Sequence, residues 1–315
     1  MTTPRAGQTL VVCVPDPTYV APLADIEGVD VLVWDLASPH PRAAEVRFAV
    51  TPYLGSVSLR DLMPQVPALE VLQLQSAGYD HYVADVPPGV ALCNAAGVHD
   101  ASTAELVLTL VLASLRGLPE LVEAQSRSQW VPTTIRPALA DKRVLVLGYG
   151  HIGRAIVRRF VPFEVEVTVV ASRAREGDEL VAEVHGIGEL PQLAAATDVL
   201  VVIVPLSEST RGLVDAGLLA RLPDQALVVN VARGPVVVTD DLLAECASGR
   251  LKAALDVADP EPLPADHPAW TTRGVLITPH IGGATSAMRP RALALIRRQV
   301  EALRDGEPLT NVVNP

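Results

Sequence analysis

Along the chain, short runs of β-branched and aliphatic residues alternate with stretches whose apolar positions recur at helical spacing. The runs Leu10 to Val14, Val31 to Trp34, Phe48 to Val50, Val71 to Gln75 and Ala91 to Asn94 are separated by Pro-rich or polar segments, which predicts the strands of a small α/β domain. The turn signal Val86-Pro87-Pro88-Gly89 stands just before the last of them. From Ser102 the pattern changes to TAELVLTLVLASLRGL, a predicted helix with Ser102 or Thr103 as N-cap and Gly117 near its stop. Its apolar residues lie on every face, so it is expected to be buried all round, in a core or at a domain or subunit interface. Further strands are predicted at Val144 to Leu147, Val165 to Val170, Val199 to Val204, Ala226 to Val231, Ala253 to Val257 and Val275 to Thr278. Helical segments lie between several of them, such as Asp240 to Ser248 behind Thr239 as N-cap, and a last helix is expected from about Thr285 to Asp305. Strand and helix alternating at this spacing argue for a doubly wound parallel sheet.

Composition narrows the function classes. A length of 315 residues is about twice the usual ~150 residues per domain, so two domains are expected. With 49% hydrophobic and 19% charged residues the chain reads as globular rather than coiled or disordered. Only 3% of residues are aromatic, which speaks against a base-stacking platform, and a formal net charge of -11 repels phosphate backbones and anionic lipid. Any anionic ligand therefore needs a local positive site. Lys142 and Lys252 are the only lysines, so that site would be made of arginine. Cys13, Cys93 and Cys246 are far apart and lack metal-ligand spacing, which predicts neither a disulfide framework nor a bound metal. The opening MTTPRAGQTLVVCVPDP lacks the pattern of a signal peptide, and no apolar stretch reaches spanning length, so a soluble cytoplasmic protein is expected.

Arg143-Val144-Leu145-Val146-Leu147 runs directly into Gly148-Tyr149-Gly150-His151-Ile152-Gly153, with a helical stretch behind. A GxGxxG alone is weak, but between a strand and a helix it has a physical reason. The glycines allow a tight turn and close approach to a pyrophosphate, and the helix N-terminus supplies free N–H groups. Gly148, Gly150, His151, Ile152 and Gly153 are therefore the expected dinucleotide contacts. An NAD site expects Asp or Glu at the end of the next strand, about 20 residues on. Here that strand ends in Ala171-Ser172-Arg173-Ala174-Arg175, and Glu176, Asp178 and Glu179 come too late unless the loop folds back. Ser172, Arg173 and Arg175 instead suit a 2′-phosphate, which predicts NADP(H) over NAD(H).

Three polar residues follow successive predicted strands of the same domain: Arg233 in VNVARG, Glu261 in LDVADPEPLP and His280 in TPHIGG. Ligands of open α/β sheets bind at that edge, and a guanidinium, a carboxylate and an imidazole near a nicotinamide match the needs of carbonyl reduction. From the residues alone Asp259 rivals Glu261. With Gln75-Ser76-Ala77-Gly78-Tyr79-Asp80-His81, Thr103-Ala104-Glu105, LGYGHIG, Val204-Pro205-Leu206 and the closing Leu309 to Asn314, these motifs make the chain resemble the D-isomer-specific 2-hydroxyacid dehydrogenases, the family of phosphoglycerate dehydrogenase and glyoxylate/hydroxypyruvate reductase. The resemblance runs from about Glu70 to the C-terminus; before Glu70 only the α/β pattern matches.

The resemblance implies a smaller flavodoxin-like α/β catalytic domain made of residues 1–100 and 285–315, with an NAD(P)-binding Rossmann domain, 101–284, inserted into it. It implies that Arg233 clamps substrate carboxylate and carbonyl oxygen, that His280 is the general acid, and that Glu261 holds the imidazole. Backbone N–H groups of Ala77 and Gly78 would bind the substrate carboxylate. Thr103, Val204, Pro205, Asn230, Val231, Ala232 and Asp256 would line the cofactor cleft, Asp256 at the nicotinamide carboxamide. A homodimer is implied, with the Ala104 to Leu115 helix at its interface, acting on a small 2-oxo or 2-hydroxy acid. The chain departs from the family at Ala258, often Phe there, and at Glu164, often Gly, and the regulatory extension of some phosphoglycerate dehydrogenases is not expected after Pro315. The imidazoles of the remaining histidines His40, His81, His99, His151, His185 and His267 read as structural or surface groups, and Trp130 and Trp270 as packing residues. Two other classes stay open: a dinucleotide-dependent regulatory binding protein of the same superfamily, which retention of Arg233, Glu261 and His280 argues against, and a dehydrogenase of another small anion such as formate or phosphite, the latter disfavoured by Ala77.

Overall fold

A computed structural model describes residues 9–55 and 57–314. The chain forms two compact units, residues 9–99 with 286–314, and Asp100–Thr285. The first carries β1 (Leu10–Val14), β2 (Val29–Val33), β3 (Phe48–Val50), the single turn α1 (Leu59–Leu62), β4 (Val71–Gln73) and β5 (Ala91–Cys93). These strands make one parallel sheet in the order β2-β1-β3-β4-β5. Residues of β1 alternate between two cores: Val11 and Cys13 join Leu62, Leu72 and Leu92, while Leu10, Val12 and Val14 join Tyr19, Phe48 and Val71. Burial on both faces is why β1 reads as an unbroken apolar run.

The second unit opens with α2 (Asp100–Arg116) and α3 (Leu118–Ser126). It continues through β6 (Arg143–Leu147), α4 (His151–Phe160), β7 (Glu166–Ala171), β8 (Arg175–Glu176), β9 (Glu183–Gly186) and α5 (Leu190–Ala194). β10 (Val199–Val202), α6 (Ala216–Leu219), β11 (Leu227–Asn230), α7 (Thr239–Ala247), β12 (Lys252–Leu255) and β13 (Val275–Ile277) complete it. The final helix, α8 (Met288–Asp305), returns to the first unit, where Ile296 and Val300 enter the core of β1. Sheet order in the second unit is β13-β12-β11-β10-β6-β7-β9-β8, parallel except for β8 against β9. Chain order reverses between β6 and β10, the switch point at which such sheets open a ligand crevice.

Several expectations change here. Helix α2 begins at Asp100, so Ser102 and Thr103 are not its caps; both are buried in its first turn, bonded to Thr285 Oγ1 (2.6 Å) and the Gly282 carbonyl (3.3 Å). Thr239 is the first helical residue of α7 rather than its cap, and Val238 precedes it without a capping side chain. Nor is α2 buried all round: Glu105, Thr109 and Arg116 are exposed, so within one chain the helix has a solvent-facing side. Gly117 does stop it, at φ 60, but α3 starts at once. Trp130 does not pack: it is 96% exposed, and Trp270 is half exposed with its indole N–H on the Pro264 carbonyl. The β8–β9 hairpin escaped the sequence pattern because Arg175 and Glu176 are polar and exposed, with no apolar alternation to read.

Candidate active site

The glycine turn sits at the C-terminal end of β6, beside the residues that follow β10. Gly148, at φ 115, lies so near Ile203 that a Cβ would come within 2.5 Å of the Ile203 carbonyl oxygen. A Cβ on Gly153 would come within 2.1 Å of the Gly148 carbonyl oxygen, so the first turn of α4 rests directly on the loop. Gly150 differs, since a Cβ there would meet nothing within 4 Å. Packing within the chain does not demand this glycine; open space above an uncapped helix N-terminus is what a closely approaching pyrophosphate requires. His151 is the first residue of α4, exposed and 3.9 Å from the Asp100 carboxylate, and Ile152 packs inward. The residues present thus fit a dinucleotide.

Strand β7 ends at Ala171, and Ser172 and Arg173 follow in exposed positions. The loop beyond does fold back onto the glycine turn. Tyr149, buried, donates its hydroxyl to Asp178 at 2.9 Å, Arg154 pairs with Asp178 at 3.1 Å and with Glu179 at 2.7 Å, and Arg175 donates to the Tyr149 carbonyl at 3.0 Å while lying over the Tyr149 ring. Burial, then the Asp178 contact, pushes the Tyr149 hydroxyl up to about 12. Bonds from the Leu180 N–H and the Tyr149 hydroxyl, with the charge of Arg154, hold Asp178 below the usual carboxylate range. Of the carboxylates that sequence placed too late, Asp178 and Glu179 therefore return to the site, yet they are engaged by Tyr149 and Arg154. Arg175 braces the turn itself, leaving Ser172 and Arg173 at the strand end. Nothing in the motif announced this clamp; Tyr149 between the glycines was the only signal.

Across the sheet, β11, β12 and β13 deliver the polar residues. Asn230, buried at the end of β11, accepts from the Ala232 N–H (3.1 Å) and donates to the Arg233 carbonyl (3.1 Å), which fixes the loop carrying half-buried Arg233. Val231 and Ala232 are buried behind it, and Val204 and exposed Pro205 flank the glycine turn after β10. Asp256 is 3% exposed, and its carboxylate accepts from Thr278 Oγ1 (2.6 Å), Ile281 N–H (2.9 Å) and Gly282 N–H (2.9 Å). Those bonds brace His280, whose φ of 54 is a left-handed conformation that costs a non-glycine residue of order 1 kcal/mol. Asp256, expected at a nicotinamide carboxamide, here organises the His280 loop, to which Thr103 also bonds.

The imidazole Nδ1 of His280 stands 2.5 Å from Glu261 Oε1. Glu261 rather than Asp259 is thus its partner. A carboxylate only accepts, so Nδ1 carries a proton toward Glu261 and Nε2 is left for a substrate. Such a dyad can hold and release a proton at one stated atom. In the first unit, Ala77 and Gly78 follow β4 in a turn that bonds to residues 94 and 95.

Residues 108–282 match the D-isomer specific 2-hydroxyacid dehydrogenase, NAD binding domain. The chain is 33% identical over 303 residues to the Homo sapiens glyoxylate reductase/hydroxypyruvate reductase, covering 91% of this chain and 92% of that one. A crystal structure of a D-isomer specific 2-hydroxyacid dehydrogenase from Xanthobacter autotrophicus Py2, in complex with NADPH and MES, is 31% identical with a TM-score of 0.82, covering 97% of this chain and 98% of the other. The NADPH-dependent glyoxylate/hydroxypyruvate reductase from Sinorhizobium meliloti, in complex with NADP and sulfate, is 27% identical with a TM-score of 0.82, over 98% of each chain. Likeness that runs through both units, and not only through a glycine turn shared by many dinucleotide-binding proteins, makes this chain a member of the D-isomer specific 2-hydroxyacid dehydrogenase family.

Proposed function

We propose that the protein is an NADPH-dependent reductase of short 2-oxo acids, glyoxylate or hydroxypyruvate among them, working in the cytoplasm as a homodimer. The observation that carries this reading is the His280–Glu261 dyad on the sheet edge that also bears the glycine turn, with no carboxylate at the end of β7. The NADPH and NADP bound in the two structural relatives point the same way. When bound, the nicotinamide supplies the hydride. Arg233 holds the carboxylate and carbonyl oxygen of the 2-oxo acid and offsets the charge that grows on that oxygen. His280 gives the proton of Nε2 to the same oxygen, and the C2 carbon that accepts the hydride becomes the alcohol of a 2-hydroxy acid. Glu261 keeps Nδ1 bonded and so fixes the ring with Nε2 free to meet that oxygen. Gly148 to Gly153 cradle the pyrophosphate, and Ser172 and Arg173 take the 2′-phosphate.

The dimer is supported by apolar side chains left in solvent in α3 and the segment after it: Val122 is 63% exposed, Trp130 96% and Ile135 fully exposed. Light scattering at micromolar concentration is expected to give twice the chain mass. The activity is tested with a panel of 2-oxo acids, formate and phosphite against NADPH and NADH. Turnover of glyoxylate or hydroxypyruvate with NADPH is expected; cofactor binding without any turnover would favour the regulatory reading. Arg233→Ala is expected to lower kcat/KM by about 10³-fold while NADPH affinity holds.

A further inference from the structure

The turn Ser76 to Gly78 has no helix behind it, yet three of its successive peptide planes are pinned from one side. The Gln75 carbonyl accepts from His99 Nε2 at 2.6 Å, the Ser76 carbonyl from the Ala95 N–H at 2.8 Å, and the Ala77 carbonyl from Asn94 Nδ2 at 2.8 Å. All three donors belong to the segment after β5. In a trans peptide the C=O and the following N–H point in opposite directions. Pinning those carbonyls toward residues 94–99 therefore turns the N–H groups of Ser76, Ala77 and Gly78 the other way, together. None of these N–H groups bonds to another of the described residues. Successive N–H groups presented on one side form a concavity that takes an anion.

The donors are built in. Asn94 and His99 are 8% and 5% exposed, and burying such polar side chains costs free energy unless their bonds return it. Asn94 Oδ1 accepts from the Ala96 N–H at 3.2 Å, which leaves its Nδ2 aimed at Ala77. His99 stacks on Tyr53 with ring centroids 5.5 Å apart, and because a carbonyl only accepts, its Nε2 carries the proton given to Gln75. The Gln75 side chain is held in turn, donating to the Thr51 carbonyl at 2.7 Å and accepting from the Tyr19 hydroxyl at 2.5 Å.

We infer that His99 and Asn94 are positioning residues for the substrate carboxylate: by donating into the carbonyls on either side of Ser76 they turn the N–H groups of Ser76 to Gly78 into its anion cradle. The inference rests on the reading of the chain as a 2-oxo acid reductase. His99, which sequence assigned to structure, thereby acts on substrate affinity without touching substrate. His99→Phe keeps an aromatic ring against Tyr53 and removes the donor; His99→Gln returns a donor at nearly the position of Nε2. In the full-length chain, His99→Phe is expected to raise KM for the 2-oxo acid about tenfold, with kcat and the KM for NADPH within about threefold, and His99→Gln to restore most of it. An unchanged KM in His99→Phe overturns the inference, and so does a parallel rise in the KM for NADPH, which marks general damage. If His99→Phe does not fold, Asn94→Ser carries the same expectation and the same refutation. Should the wild-type chain reduce no 2-oxo acid, the proposed function falls, and oxalate affinity by calorimetry decides the cradle on its own. Weaker oxalate binding in the variants upholds it, whereas equal or absent binding in wild type overturns it.

Discussion

Two backbone turns of this protein are proposed as anion sites, and they are built by different means. The turn after β6 relies on glycine and a helix: Gly148 and Gly153 let the loop, β10 and α4 pack backbone to backbone, and α4 contributes free N–H groups. The turn after β4 has no helix; buried side chains 17 and 24 residues later in the chain hold its carbonyls back. One device is local and made of residues that lack a side chain, the other is non-local and made of side chains. The first has no room for an added Cβ at Gly148 or Gly153, and the second depends on each of its donors.

The largest effect is expected inside the glycine turn. Gly153→Ala places a methyl against the Gly148 backbone, which has no flexible end to move aside, and should destabilise the chain by about 2–4 kcal/mol in urea unfolding. Gly150→Ala meets only open space, so its urea midpoint should match wild type while NADPH affinity falls at least about tenfold. A stable, tightly binding Gly150→Ala would break the contrast between packing glycine and ligand glycine. Next in size is Arg173→Ala, expected to weaken NADPH about tenfold and leave NADH unchanged, read by fluorescence titration. Equal losses for both cofactors would move the 2′-phosphate contact elsewhere.

The smallest effect is one the two turns share. Burial pushes the thiol of Cys93, next to Asn94, up to about 11, and the Tyr149 hydroxyl in the glycine turn up to about 12; the buried thiols Cys13 and Cys246 also rise to about 12. The unfolded chain releases these thiol protons near the ordinary value of 9.0, whereas the folded chain keeps them. Above pH 9 the native state thus binds more protons than the unfolded one, so stability falls as pH rises through 9 toward 11 and 12. Urea midpoints at pH values on either side of 9 should fall on the alkaline side, and a constant or rising midpoint would contradict the burial of these groups.

Local chemistry made much of this readable. The apolar runs marked every parallel strand of both sheets except β9, because strands buried on two faces have no polar positions to blur the signal. Gly148 to Gly153 and the loops of Arg233, Glu261 and His280 lay in contiguous segments next to strand ends. Boundaries were less readable: α2 starts before the Ser102 expected to cap it, since tertiary bonds to Thr285 and Gly282 occupy the hydroxyls that a cap would use.

By itself the sequence determined the alternating α/β order, the turn that suits a pyrophosphate, the absence of a carboxylate after β7 and the three groups suited to carbonyl reduction. Each depends on neighbours along the chain, whose spacing the backbone fixes before folding. Tertiary structure alone decided that Glu261 and not Asp259 meets His280, that Asp256 braces the His280 loop, that Asp178 returns to Tyr149, and that His99 reaches Gln75. Those choices are made by hydrogen bonds between distant segments. A buried donor must find an acceptor, and only the folded chain determines which acceptor is within reach.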